Sequence, residues 1–128
     1  MGSMDRADVQ TWVAGYERLW RTPGTDLLPE LFTPDARYRT SPWSLPLKGL
    51  PAIARLWETE RAGPDEEFTM SAELVALEGR TAVVRLEVRY GGGAGTSWRD
   101  LWVLEFAGDG RCASFEEWPF APDQEDGH

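Results

Sequence analysis

Two carboxylates are set among tryptophans in the last third of the chain. In Trp98-Arg99-Asp100-Leu101-Trp102-Val103-Leu104-Glu105-Phe106, strict alternation puts Trp98, Asp100, Trp102, Leu104 and Phe106 on one face. Arg99, Leu101, Val103 and Glu105 fall on the other. Past Gly108-Asp109-Gly110, the residues Ala113, Phe115, Glu117 and Pro119 alternate with Cys112, Ser114, Glu116 and Trp118. The two runs read as a hairpin across an Asp-Gly turn. Its tryptophan-rich face reads as the wall of a pocket holding Asp100 and Glu117. A carboxylate enclosed by apolar groups is destabilised as an anion, so its pKa rises and it becomes a general acid or base near neutrality. With Tyr16 as a hydrogen-bond donor, the pair suits proton transfer in an isomerisation, a dehydration or an aldol-type cyclisation. The same residues have a structural reading. Asp100 or Glu117 would then pair with Arg37 or Arg39 and order the cavity, and Tyr16 would be a core tyrosine with its hydroxyl at a polar edge.

The elements that must position these groups are legible from periodicity. Val9, Trp12, Val13, Tyr16, Leu19 and Trp20 recur at helical spacing after Asp5 or Asp8 as cap, and Thr22-Pro23-Gly24 stops the helix. A short second helix is expected over 26–32, capped by Thr25 and limited by Pro29. Thr33-Pro34-Asp35 reads as a turn, 36–41 as a strand, and 42–48 as a loop with apolar contacts from Trp43, Leu45 and Leu47. A third helix begins at Pro51, buries Ile53, Leu56 and Trp57, and ends at Ala62-Gly63-Pro64-Asp65. Strands follow over 67–77, 81–90, 96–106 and 111–118, with turns at Glu78-Gly79-Arg80 and in the glycine run 91–95. No Lys-Ser/Thr follows that run and no helix starts there, so it is not a phosphate loop.

This order predicts an α+β architecture, with three N-terminal helices packed on one face of a curved antiparallel sheet. Val84, Leu86, Val88 and Tyr90 face the helices, while Arg85, Glu87 and Arg89 face away. Leu101, Val103 and Trp118 add an apolar patch to the outer face, which predicts a homodimer packed through it. Trp12, Trp20 and Trp57 read as core, and Trp98 and Trp102 as cavity lining.

Composition narrows the function classes. A chain of 128 residues with 41% hydrophobic residues and seven tryptophans is ordered and holds one core. Residues 1–3 read as a cloning remnant, 4–121 as the domain and 122–128 as an acidic tail. No apolar run suits a membrane span and no signal segment opens the chain, so a cytoplasmic protein is expected. The net charge of −9 disfavours nucleic acid and anionic membranes as partners. One cysteine and one histidine, Cys112 and His128, leave no disulfide, thiolate cluster, histidine triad or histidine metal site, and no cofactor is expected. Cys112 reads as inert packing on the outer face.

Leu31-Phe32-Thr33-Pro34-Asp35-Ala36, Ser41-Pro42, Lys48-Gly49-Leu50-Pro51-Ala52-Ile53, and Asp109-Gly110-Arg111 followed by Phe115-Glu116-Glu117-Trp118 form a familiar succession. Over 8–122 the chain resembles the nuclear transport factor 2-like superfamily, in its SnoaL-like and ketosteroid-isomerase-like branch. The resemblance implies a cone-shaped fold, a cavity for a small apolar, aromatic or polyketide-like ligand, and dimerisation through the sheet. It implies an inner face of Val84, Leu86, Val88, Trp98, Asp100, Trp102, Leu104, Phe115 and Glu117. Tyr16 resembles the tyrosine that donates to an enolate oxygen in ketosteroid isomerases. Three positions depart from the family pattern. Ser41 stands where the isomerases carry their carboxylate base, Trp102 where they carry a second acidic donor, and Glu117 where SnoaL-like cyclases carry a histidine. Neither inherited mechanism transfers intact.

Three functional readings follow. In the first, the chain is a cofactor-independent acid–base enzyme. Asp100 and Glu117 move protons, Tyr16 and Trp102 orient the substrate, and Trp98, Val84, Leu86, Val88, Phe115 and Trp43 complete the binding surface. In the second it is a non-catalytic ligand-binding or dimeric accessory protein. In the third it is a scaffold that binds protein through the outer face.

Overall fold

The computed structural model describes residues 4–61, 67–91 and 96–124. The expected helix stop at 62–65, residues 92–95 of the glycine run, the remnant at 1–3 and the tail beyond 124 lie outside the described residues.

Helix α1 spans Arg6–Trp20 and starts at a reciprocal cap, in which the Asp5 side chain accepts from the Asp8 N–H and the Asp8 side chain accepts from the Asp5 N–H. Its stripe of Val9, Trp12, Tyr16 and Leu19 is buried, as the spacing requires. Helix α2, Leu28–Leu31, is a single turn, shorter than expected. Thr25 does not cap it with its side chain, because that hydroxyl donates to Glu58 Oε1 at 3.1 Å. Helix α3, Leu50–Glu60, opens with Pro51 in its first turn and buries Ile53 and Trp57.

The strands are β1 (Phe32–Arg39), β2 (Leu47–Lys48), β3 (Phe68–Glu78), β4 (Thr81–Tyr90), β5 (Ser97–Phe106) and β6 (Cys112–Phe120). They form one curved sheet in the order β2-β1-β6-β5-β4-β3. The α+β arrangement is the one expected, with one difference in strand direction. The β3–β6 meander is antiparallel, but β1 pairs with β6 in parallel, so the sheet is mixed. The path from β1 through β2 and α3 crosses over and delivers the chain to the far side before it returns, and such a connection permits parallel pairing. Pro34 lies inside β1 rather than in a turn before it. The pairing of β1 with β6 is irregular between Phe32 and Arg37, where a missing N–H is tolerated. Leu47 and Lys48, expected in a loop, pair with Tyr38 and Arg37.

Two bulges reset the alternation. Leu74 opposes Val84 and Ala76 opposes Val83, so Val75 is the extra residue and is exposed. In β6, Ser114 opposes Glu105 while Cys112 opposes Phe106, so Ala113 is extra and the face inverts there. Cys112 is therefore not on the outer face. It is fully buried beside Phe32 and Phe106, where burial pushes its thiol up to about 12.

The core between the helices and the inner face is largely aromatic. Trp12 donates from Nε1 to the Leu31 carbonyl at 2.9 Å and meets Phe32 and Phe106 edge-on. Phe115 stacks on Tyr38 with centroids 4.3 Å apart and touches Trp102 at 5.1 Å. Phe115→Ala would remove this buried keystone and lower the unfolding free energy by about 3–5 kcal/mol in urea denaturation. Trp43→Ala, at a position 96% exposed, is expected to leave stability within about 0.5 kcal/mol of the parent.

Candidate active site

The inner-face register sets the carboxylates beside each other. Trp102 on β5 is the direct cross-strand partner of Glu117 on β6, and Asp100 opposes Pro119, two residues further along. Asp100 and Glu117 are thus diagonal neighbours on one face, within reach for polar side chains. Trp102 Nε1 donates to Glu117 Oε2 at 2.9 Å, which fixes the rotamer of the glutamate. The carboxyl groups of Asp100 and Glu117 are themselves hydrogen-bonded. Two carboxyl groups bond only when one of them carries a proton.

Electrostatics act on both groups. Burial, followed by the charge of Glu117 and the hydrogen bond to it, pushes Asp100 up to about 8. Burial also raises Glu117, as does the charge of Glu60, while the bonds from Trp102 and Asp100 to Glu117 act in the opposite sense. Burial pushes both carboxyls toward the protonated form, and of the two Asp100 is also raised by its neighbour, while the hydrogen bonds to Glu117 act the other way there. Asp100 Oδ1 is buried and accepts from no donor among the described residues. The arginines Arg37 and Arg39 flank Tyr38 on the opposite alternation of β1, and neither pairs with Asp100 or Glu117.

These groups border a cavity of about 510 Å³ between α1, α3 and the sheet. Tyr16, Val88, Trp98, Asp100, Trp102 and Glu117 all line it. Val84, Leu86 and Phe115 share the inner face but lie in the packed core beneath the cavity. Trp43 does not line the cavity. It projects into solvent from a turn held by reciprocal bonds between Ser41 and Ser44, because two prolines and a tight turn carry this segment off the sheet.

Tyr16 sits against the dyad's partner, with its ring 4.5 Å from that of Trp102 and 5.1 Å from that of Trp57. Its hydroxyl interacts with that of Tyr38, and burial, the largest influence on both, keeps them protonated as donors. Tyr38 was missed by the sequence reading although the 36–41 alternation contains it. Glu60 was also missed. It follows Ile53, Leu56 and Trp57 at i+7, i+4 and i+3, so it continues the buried stripe of α3 as a charged residue at the solvent edge of the cavity.

The raised Asp100 makes stability depend on pH. Asp100 holds its proton to about 8 in the folded chain and to the ordinary 3.8 when exposed. Between those values the folded form binds a proton that the unfolded form has released, so stability falls as pH rises through the window. In thermal melts from pH 4 to 8, Asp100→Asn is expected to gain progressively on the parent and to level off above the window. A constant difference would mean that folding does not raise Asp100.

The profile of the SnoaL-like domain family matches residues 12–115. No curated protein matches the chain. Among solved structures, a steroid delta-isomerase from Pseudomonas aeruginosa superposes with a TM-score of 0.65 at 23% identity, over 92% of this chain and 83% of that one. The epoxide hydrolase/cyclase-like enzyme SalBIII, with a role in pyran ring formation in the polyether salinomycin, gives 0.71 at 18% identity over 91% and 93%. An LEH-like epoxide hydrolase of M. tuberculosis gives 0.67 at 14% identity over 89% and 84%. These likenesses carry the fold, and among the described residues no helix is long and apolar enough to cross a membrane. With the profile covering most of its length, the chain belongs to the SnoaL-like domain family.

Proposed function

We propose that the cavity takes a small apolar or aromatic molecule and that the protein is a cofactor-independent acid–base enzyme of the isomerase, dehydratase or cyclase type. The observation that carries this reading is the Asp100–Glu117 pair, two neighbouring carboxyl groups on one wall of an aromatic cavity with no cation paired to either group among the described residues. Such a pair can give and accept a proton in one turnover. Asp100 protonates a substrate oxygen while the Glu117 carboxylate takes a proton from carbon or from a hydroxyl. The proton then passes back from Glu117 to Asp100 along their hydrogen bond, and the resting state returns with no net change. Trp102 holds Glu117 in position through Nε1, and the Tyr16–Tyr38 hydroxyls supply donors for charge developing on oxygen. The steroid isomerase and the epoxide hydrolase/cyclase-like enzymes that share the fold support this range of chemistry. A buried free cysteine fits a cytoplasmic setting.

Enolisable ketones, β-hydroxyketones and epoxy-alcohols on apolar or aromatic bodies form the substrate panel for the test. With a turned-over compound in hand, Asp100→Asn and Glu117→Gln are each expected to lower kcat by about 10²–10⁴-fold. The parent kcat/KM should decline as pH rises past about 8, where Asp100 loses its proton. Full turnover in the double variant would overturn the reading. The outer patch of Leu101, Val103 and Trp118 supports a homodimer packed through the sheet. Light scattering should then return twice the chain mass of 14.4 kDa, and Leu101→Glu should return that mass once.

A further inference from the structure

The charge and the walls of the cavity say more about its ligand than its volume does. The rings of Trp20, Trp57, Phe68, Tyr90, Trp98 and Trp102 border it from both helices and from β3, β4 and β5. Ring faces carry partial negative charge, and three of these rings already hold a cation, with Arg21 3.8 Å over Phe68 and Arg61 5.9 and 5.8 Å from the centroids of Trp20 and Trp57. Three carboxyl groups border the same space, namely Glu60 at the solvent edge and the Asp100–Glu117 pair deeper in. Among the described lining residues there is no lysine, arginine or histidine. The net charge of −9 over the whole chain adds to the field in the same sense.

A neutral ligand would displace water from these carboxyl groups and leave their negative charge less well solvated. An anion would fare worse. A cation is favoured, because it supplies an opposite charge that no described lining residue provides and meets further aromatic rings, Trp98 and Trp102, beside the carboxyl pair. We propose that the ligand of this cavity is an organic cation, a protonated amine or quaternary ammonium on an apolar or aromatic body, with its charged end against the aromatic wall and the Glu60 and Glu117 carboxylates. This rests on the acid–base reading of the same cavity and narrows its substrate class. Substrates would then be amine-bearing compounds, and the cationic nitrogen would orient the neighbouring carbon and oxygen atoms toward Asp100 and Glu117.

Benzyltrimethylammonium and its uncharged isostere neopentylbenzene differ almost solely in charge, which makes them the probes. Binding is read by calorimetry and tryptophan fluorescence at pH 7 in matched cosolvent, with phenylacetate as the anionic control. The cation is expected to bind at least about 10-fold more tightly than the isostere, and phenylacetate not to bind. Glu60→Gln, an exposed change that leaves the core untouched, should cut the preference several-fold, and Trp98→Ala should weaken the cation more than the isostere. Equal or tighter binding of neopentylbenzene would overturn the cation proposal and leave the acid–base reading of an aromatic pocket standing. No binding by any probe at millimolar concentration would overturn the cation proposal and remove the support for the cavity as an aromatic ligand site.

Discussion

The hydrogen bond from Trp102 to Glu117 is the constraint on which the site depends. It joins adjacent strands through side chains at the level where backbone pairing already sets their register, so the glutamate is held twice over. An indole N–H is a donor only and cannot itself titrate in the useful range. It therefore anchors Glu117 without adding a titrating group beside it. With one oxygen occupied in this way, the remaining acceptor capacity of Glu117 is directed at Asp100 and at the cavity. A histidine or arginine at position 102 would have brought charge of its own beside the two carboxyl groups.

The aromatic core and the cavity are one continuous structure. Tyr16 stacks nearly parallel to both Trp20 and Phe115, with interplanar angles of 6° and 5°, so the same helix residue packs the core and borders the ligand space. Rigid rings have few torsions to freeze, and interlocked rings hold polar groups to a narrow set of positions at little entropic cost. The enclosed carboxyl groups work against stability, since desolvating them is unfavourable whichever proton is present. The aromatic packing around them compensates, and it also keeps the dyad from relaxing toward solvent.

Much of this was legible from residue alternation. The β4 and β5 faces follow strict period two without interruption, so Trp98, Asp100 and Trp102 fell on the cavity side as expected. Helical spacing likewise marked Trp12, Tyr16 and Trp57 as inward. Legibility failed where a backbone irregularity resets the phase. A single extra residue at Ala113 turned Cys112 inward, and the irregular pairing of β1 admitted Pro34 into a strand. Trp43 failed for another reason. Its hydrophobicity argues for burial, but reciprocal Ser41–Ser44 bonds close a turn that points it outward. Glu60 continues an apolar stripe as a charged residue, so hydrophobic spacing alone does not mark it. The parallel pairing of β1 with β6 joins segments far apart in sequence, and no local pattern encodes such a contact.

The place of β6 in the sheet bears on how the protein is made. It is the last strand in the chain and yet lies in the middle, between β1 and β5. Until Cys112–Phe120 has left the ribosome, no strand joins β1 and β2 to the β3–β5 meander, and contacts of α1 with β3 and β5 link the two. The nascent chain therefore carries two apolar half-sheets with open edges through most of its synthesis, and closure waits on a contact of long sequence separation. Glu117 arrives with that same strand, so the step that completes the sheet is also the step that brings the two carboxyl groups together.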